Sequence, residues 1–207
     1  MPLQLVTPPA GEPISLAEAK QHLRVDGGDD DPLIGSLITA ARQAAETITG
    51  RQLMTARWKL VLDAFPGPSL MHAASGATFS LPAHAILIAK CPVQSVSSVE
   101  YLDMNGTPQV LPVSDYVLDA ACEPARLSPV FGKTWPPTLP QIGAVVVTFD
   151  AGYGAASAVP EGLKSWIKLR VGSLYVHREE MAVLSRGRID PLPFVDGLLD
   201  GFKVSLV

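Results

Sequence analysis

Over Ile14 to Gly50 the apolar residues recur every three or four positions, the spacing of one helical face. Ser15 and Glu18 stand as S-x-x-E, a capping box in which the serine accepts from the N3 amide and the glutamate reaches back to the N-cap amide. A short helix is therefore expected from Leu16 to about Val25, broken by Gly27 and Gly28. Asp30 or Asp31 is then placed to cap a second helix whose first turn holds Pro32, where the missing N–H has no partner to lose. Along that helix Ile34, Ile38, Ala41, Ala45 and Ile48 form the apolar face. Leu33, Leu37, Ala40 and Ala44 widen it, and Gly50 supplies the stop. A face this broad can contact two neighbours.

From Leu53 the period changes to two: Trp58, Leu60 and Leu62 alternate with Arg57, Lys59 and Asp63, a strand with one buried face. A proline- and glycine-rich loop follows at Phe65 to Gly76. Strands are expected at Ala85 to Ala89 and Ser97 to Asp103, the second running into Asn105-Gly106, a preferred hairpin dipeptide. Tyr116 to Leu118, Ala125 to Val130 and Ala144 to Phe149 complete an antiparallel β region. After a connector at "DAGYGAASA", Pro160 can open a helix to about Arg178 with an apolar stripe of Leu163, Trp166, Ile167, Val171 and Leu174. Phe194 to Leu199 is a short turn or helix before a β-prone end. The expected fold is α+β: a small bundle of two N-terminal helices and one C-terminal helix, into which an antiparallel β region is inserted. In residue terms this is a single domain over 1–207, with helical parts at 14–50 and 160–180, a β insertion at 53–150 and a tail at 181–207.

Composition sharpens this picture at one point. Charged residues are 17% of the chain, against about 25% in ordinary soluble domains, while the hydrophobic share is 47%. Surface must be covered by something uncharged: in part by the 19 prolines, in part by partner subunits. The net charge of -4 does not advertise nucleic acid or an anionic membrane as a partner. No run approaches the roughly 18 apolar residues of a membrane helix, and "MPLQLVTPPAGEPIS" lacks the basic and apolar regions of a leader, so a cytoplasmic site of synthesis is expected. Cys91 and Cys122, without CxxC spacing, are expected to be reduced packing residues.

Candidate chemistry is sparse. Counting Asp26 as position one of a calcium loop puts Leu37 where a bidentate glutamate is required, so the aspartates read as helix caps. His22, His72, His84 and His177 stand in no zinc-motif spacing. Gly152-x-Gly154 lacks the third glycine and a prompt helix, and Ser165-x-x-Lys168 lacks the partners of the serine acylases. Arg186 and Arg188 are too few for a phosphate track. No cofactor or metal site is expected, and a binding or assembly protein fits better than an enzyme. Two alternatives remain: a small metal-dependent hydrolase or nuclease using Asp29 to Asp31 with a histidine, and a DNA-binding regulator on the N-terminal helices. The second has only Arg42 and Arg51 as basic residues on or beside helix two.

The order "LVTPPAGEPISLAEAKQHLRVD", "WKLVLDAFP", "PVQSVSSVEYLDMNG", "DYVLD", "WPPTLPQIGAVVVTFDAGYG", "VPEGLKSWIKLRVGSLYVHRE" and "LPFVDGLLDGFKV" resembles the head-to-tail connector, or head-completion adaptor, proteins of tailed bacteriophages and prophages, in their longer form with a β insertion. The resemblance covers nearly the whole chain. It implies a non-enzymatic homo-oligomeric ring, twelve-fold to match the portal, placed at the head–tail interface of the virion after assembly in the bacterial cytoplasm. Its partners would be the portal protein and a tail or second connector protein. Genomic DNA would pass through without specific binding, and no membrane is involved. The family carries no invariant interface residues to transfer; Arg42, Glu46 and Arg51, on the polar edge of helix two, are the subunit-contact candidates.

Overall fold

The computed structural model describes residues 3–67, 84–177 and 193–204, with side chains unassigned at 193–196. His72, Arg186, Arg188, the far part of the proline- and glycine-rich loop and the end of the β-prone terminus lie outside the described residues. The chain is mixed α+β, and its contacts cluster into two compact units. One joins Pro9–Met54 to Tyr153–Val204, and the other joins the N-terminal strand segment to Thr55–Gly152.

The first unit is helical. Helix α1 (Leu16–Leu23) begins on the expected capping box: Glu18 N donates to Ser15 Oγ at 3.1 Å and Ser15 N donates to Glu18 Oε2 at 2.7 Å. It ends earlier than the glycines suggested, because Arg24 itself turns left-handed (φ 58°) and its N–H and that of Val25 close on Gln21 O and Lys20 O. Helix α2 (Asp31–Thr49) stops at Gly50, whose φ of 72° suits a residue without Cβ. Helix α3 (Glu161–Val176) follows Pro160, and α4 (Pro193–Asp200) follows as expected. Ile34, Ile38, Ala41 and Ala45 of α2 share one core with Leu163, Trp166, Ile167 and Val171 of α3, Ala19 of α1 and Leu199 of α4. Ile48, expected on the apolar face, is exposed instead. It sits in the last turn, where Thr49 takes the inward position. Gly162 lies so close to Phe202 that a Cβ there would come within 3.1 Å of the ring, so the segment after α4 seats on α3 over a residue with no side chain.

The second unit is antiparallel. Its five-stranded sheet runs β1 (Leu3–Thr7), β2 (Ala56–Leu62), β8 (Val145–Ala151), β4 (Val93–Leu102) and β5 (Pro108–Val110). A three-stranded sheet runs β3 (Ile86–Ile88), β7 (Ala125–Pro129) and β6 (Tyr116–Asp119). The β region thus draws on Leu3–Thr7, outside the expected 53–150; five residues alternating over so short a run give too little periodicity to read without their partner β2. Pairing Leu60 with Val147 and Val99 with Val147 places Leu60, Val99, Val147 and Phe149 on one buried face, while Arg57, Lys59, Thr148 and Asp150 alternate onto the other. The β4–β5 hairpin contains Asn105-Gly106 but is longer than a two-residue turn: Asp103 Oδ1 accepts from Asn105 N and Thr107 N, each at 2.9 Å.

Two outcomes follow from this packing. Phe149 is fully buried in the central strand of the large sheet, so Phe149→Ala is expected to lower unfolding free energy by about 3–5 kcal/mol in denaturant titrations. Hydrogen bonds from the Ser15 backbone and then its hydroxyl hold the Glu18 carboxyl below its ordinary range. The stability this lends is present above the unfolded carboxylate value and is lost as pH falls through the lower folded value. Glu18→Gln should therefore shrink that acid-side loss in stability measured against pH.

Candidate assembly interface

Helix α2 carries three charges, Asp31, Arg42 and Glu46, and all three are engaged within the helical unit. Arg42 and Glu46 are only 6% and 8% exposed, and Arg51, beyond the helix end, is 7% exposed. Arg42 Nε donates to Glu12 Oε2 at 2.7 Å and Nη1 to Glu46 Oε2 at 2.9 Å. Glu46 Oε1 accepts from Gln52 Nε2 at 2.7 Å and from Leu53 N at 3.0 Å. Thr39 Oγ1 adds a bond to Glu12 Oε1 at 2.8 Å. Burial opposes the Arg42 charge, but hydrogen bonds and attraction from Glu12 and Glu46 outweigh it and hold the guanidinium above its ordinary pKa. Arg51 Nε donates to the carbonyl of Phe202, and Val204 N donates to Thr49 O at 2.9 Å, so the end of α2 is fastened to the segment after α4.

The three sequence candidates are therefore buried. Arg42 and Glu46 pair with each other in the C-terminal half of α2, while Arg51, just beyond the helix end, is tied to the Phe202 carbonyl. Glu12 and Gln52, their partners, lie outside any periodic element, so no pattern in the sequence marked them.

The aspartates before α2 are placed as expected and act differently. Asp30 is the N-cap residue, but no side-chain capping hydrogen bond forms. Its carboxylate accepts from the Tyr175 hydroxyl of α3, and Asp31 Oδ1 accepts from Lys20 Nζ of α1 at 2.6 Å. A backbone φ of -94° and ψ of 3° at Asp30, away from the extended form of a normal cap, accompanies this turn toward the neighbouring helices. Among the described residues no group of three His, Cys, Asp or Glu side chains could hold a metal ion.

With its charges inward, α2 presents an uncharged outer face of Ser36, Ala40, Gln43, Thr47 and Ile48. Ser36 Oγ donates to Leu33 O at 2.7 Å and Thr47 Oγ1 to Gln43 O at 2.8 Å, so these hydroxyls are satisfied by the helix itself. On the β unit the exposed apolar side chains include Phe131 and Ile142, at the two ends of the proline-stiffened loop "FGKTWPPTLPQI".

Residues 13–79 match the family described as Phage gp6-like head-tail connector protein. Over this segment the chain is similar to that family. The matched stretch includes α1, α2 and β2, hence Arg42, Glu46 and Arg51. No curated protein matches the chain. In three dimensions all of it is similar to a chain in the "Neck of empty GTA particle computed with C6 symmetry", with a TM-score of 0.75 and 24% identity over 97% of that chain. It is equally similar to a chain in the "Virion of native gene transfer agent (GTA) particle". A chain in the "Neck of native GTA particle computed with C12 symmetry" gives a TM-score of 0.72 at 22% identity. At these identities the fold is what is shared.

The network dictates how substitutions should behave. Arg42→Ala would leave Glu12 and Glu46 without their shared cation, Glu46 in a buried site, and is expected to cost about 3–5 kcal/mol in denaturant melts. Replacing Asp30 and Asp31 together by alanine should cost on the order of 1–2 kcal/mol through the lost ties to Tyr175 and Lys20. Tyr175→Phe should then add little further in that background, whereas a pure capping role would leave the two effects additive.

Proposed function

We propose that this protein is a structural head-to-tail connector of a phage or phage-like particle: a homo-oligomeric ring below the portal that extends the DNA channel and offers a docking surface to a tail or second connector protein. The carrying observation is that one chain combines the connector-family match over residues 13–79 with full-length fold similarity to chains in particle necks and a virion. The C6 and C12 symmetries named for those necks support a rotational ring, and twelve copies is the number proposed here. The whole chain, 1–207, acts as one connector domain at the head–tail interface of the virion, after assembly in the bacterial cytoplasm. The role is mechanical and requires no cofactor. Arg42, Glu46 and Arg51 serve the subunit contact by fixing the form of α2 from within.

DNA is enclosed without being held. Each phosphate neutralised by the wall releases counterions, and that release must be reversed as the genome slides. Among the described residues, Lys20, Arg42, Arg57, Arg126, Lys133, Lys164 and Lys203 are paired with carboxylates of the same chain. The net charge of -4 per subunit is multiplied around a ring and acts on DNA only within a screening length of about 8 Å at physiological salt.

Two measurements test this function. Lysates lacking the protein should contain DNA-filled heads without tails, or heads that leak; empty procapsids as the main product would place it in packaging instead. In a mobility-shift experiment at physiological salt, duplex DNA should remain free at micromolar protein, and a salt-sensitive submicromolar complex would restore a DNA-binding function.

A further inference from the structure

The helical unit bears two outer faces on different helices, that of α2 uncharged and that of α3 with the exposed Arg170 at its edge. On α2, Ser36, Ala40, Gln43 and Thr47 are exposed with no charged residue among them, and their hydroxyls already donate to the helix's own carbonyls. Burying such a face strands no hydroxyl donor and desolvates no ion. On α3, Leu169, Ser173 and Val176 are exposed at helical spacing, Val176 at 71%. The buried residues of the two helices, Ile34 to Ala45 and Leu163 to Val171, meet in one core. The outer faces therefore point away from each other.

A ring closed by rotation uses heterologous contacts, in which one patch of each subunit meets a different patch of the next. Two unlike faces on opposite sides of one bundle are what such a contact requires. DNA is a poor occupant, since the α2 face offers it no cation. We infer that the Ser36–Thr47 face of α2 packs against the Leu169–Val176 face of α3 of a second copy, making the subunit contact of the ring. This inference rests on the proposed ring function and adds which surfaces join, and in which sense. Small residues on α2 let the backbones approach, and Leu169 and Val176 supply the knobs that enter between them.

Two single variants of the full chain test it, Ala40→Arg and Leu169→Arg, each adding a charge to an exposed position of one face. Circular dichroism melts establish that both still fold. At the highest soluble concentration, native mass spectrometry of the parent protein should show oligomers, and each variant alone should be monomeric. An equimolar mixture should give one heterodimer and nothing larger, because the intact α2 face of Leu169→Arg meets the intact α3 face of Ala40→Arg and both remaining faces are blocked. Loss of association in Ala40→Arg alone, with Leu169→Arg unaffected, would replace the inference by an α2–α2 two-fold contact. Rings formed by both variants would overturn it while leaving the ring function in place, with the exposed Phe131 loop as the next surface to alter. A parent protein that never self-associates, alone or on the particle, would remove the ring and the inference together.

Discussion

Arg42 and Glu46, opposite charges four residues apart on α2, are taken out of water, and that is costly unless every donor and acceptor finds a partner. The rest of the helical unit is arranged to supply them. Glu12 reaches in from the segment before α1 to share Arg42, and the chain after α2 folds back so that Gln52 and the Leu53 amide meet the second oxygen of Glu46. The first requirement fixes how the N-terminal segment approaches α2; the second fixes where the chain leaves it. Replacing such a network with well-packed apolar residues can be neutral or stabilising, so net stability does not account for it. Its consequence here is geometric: one register for α2, one exit for the chain.

The same arrangement decides the character of the surface. A nineteen-residue helix would ordinarily turn its ions to solvent, but α2 spends Arg42 and Glu46 inside and Asp31 on Lys20. What is left outside is uncharged, and its two hydroxyls, of Ser36 and Thr47, are bonded within the helix. The low charge content of 17%, visible in composition alone, thus has a location. Part of the chain's charge is held in pairs within each unit, and the outer side of α2 is left without any.

Element types were legible because their periods differ: 3.6 for the Ile34–Ala45 face, two for Trp58–Leu62. Chain-local chemistry was legible as well, in the Ser15–Glu18 box and the Gly50 stop. What escaped the sequence was every feature decided by a distant partner. Asp30 reads as a cap by every local rule, yet Tyr175, 145 residues away, takes its carboxylate. Arg42, Glu46 and Arg51 read as the polar edge of helix two, and nothing in that local pattern marks them as buried. Their burial depends on Glu12, Gln52 and the Phe202 carbonyl, none of which shares a helical face with them. β1 was missed for the same reason, since its identity as a strand comes from β2.

Sequence order also conceals why the helical unit holds together. An eight-residue α1 and one long α2 cannot persist in water on propensity alone. The apolar face of α2 is covered only when α3 and α4 return after more than a hundred residues. The point of departure and the point of return are adjacent: Tyr153 N donates to Leu53 O at 3.0 Å, so the chain leaves the helical unit and re-enters it through neighbouring residues joined by a backbone hydrogen bond. Adjacent ends are the condition under which an insertion leaves its host core intact. Glu46, by accepting the amide of that same Leu53, ties the insertion point to the buried ion pair of α2. A shift in the register of α2 would therefore displace both the outer face of the helix and the Leu53 exit of the chain.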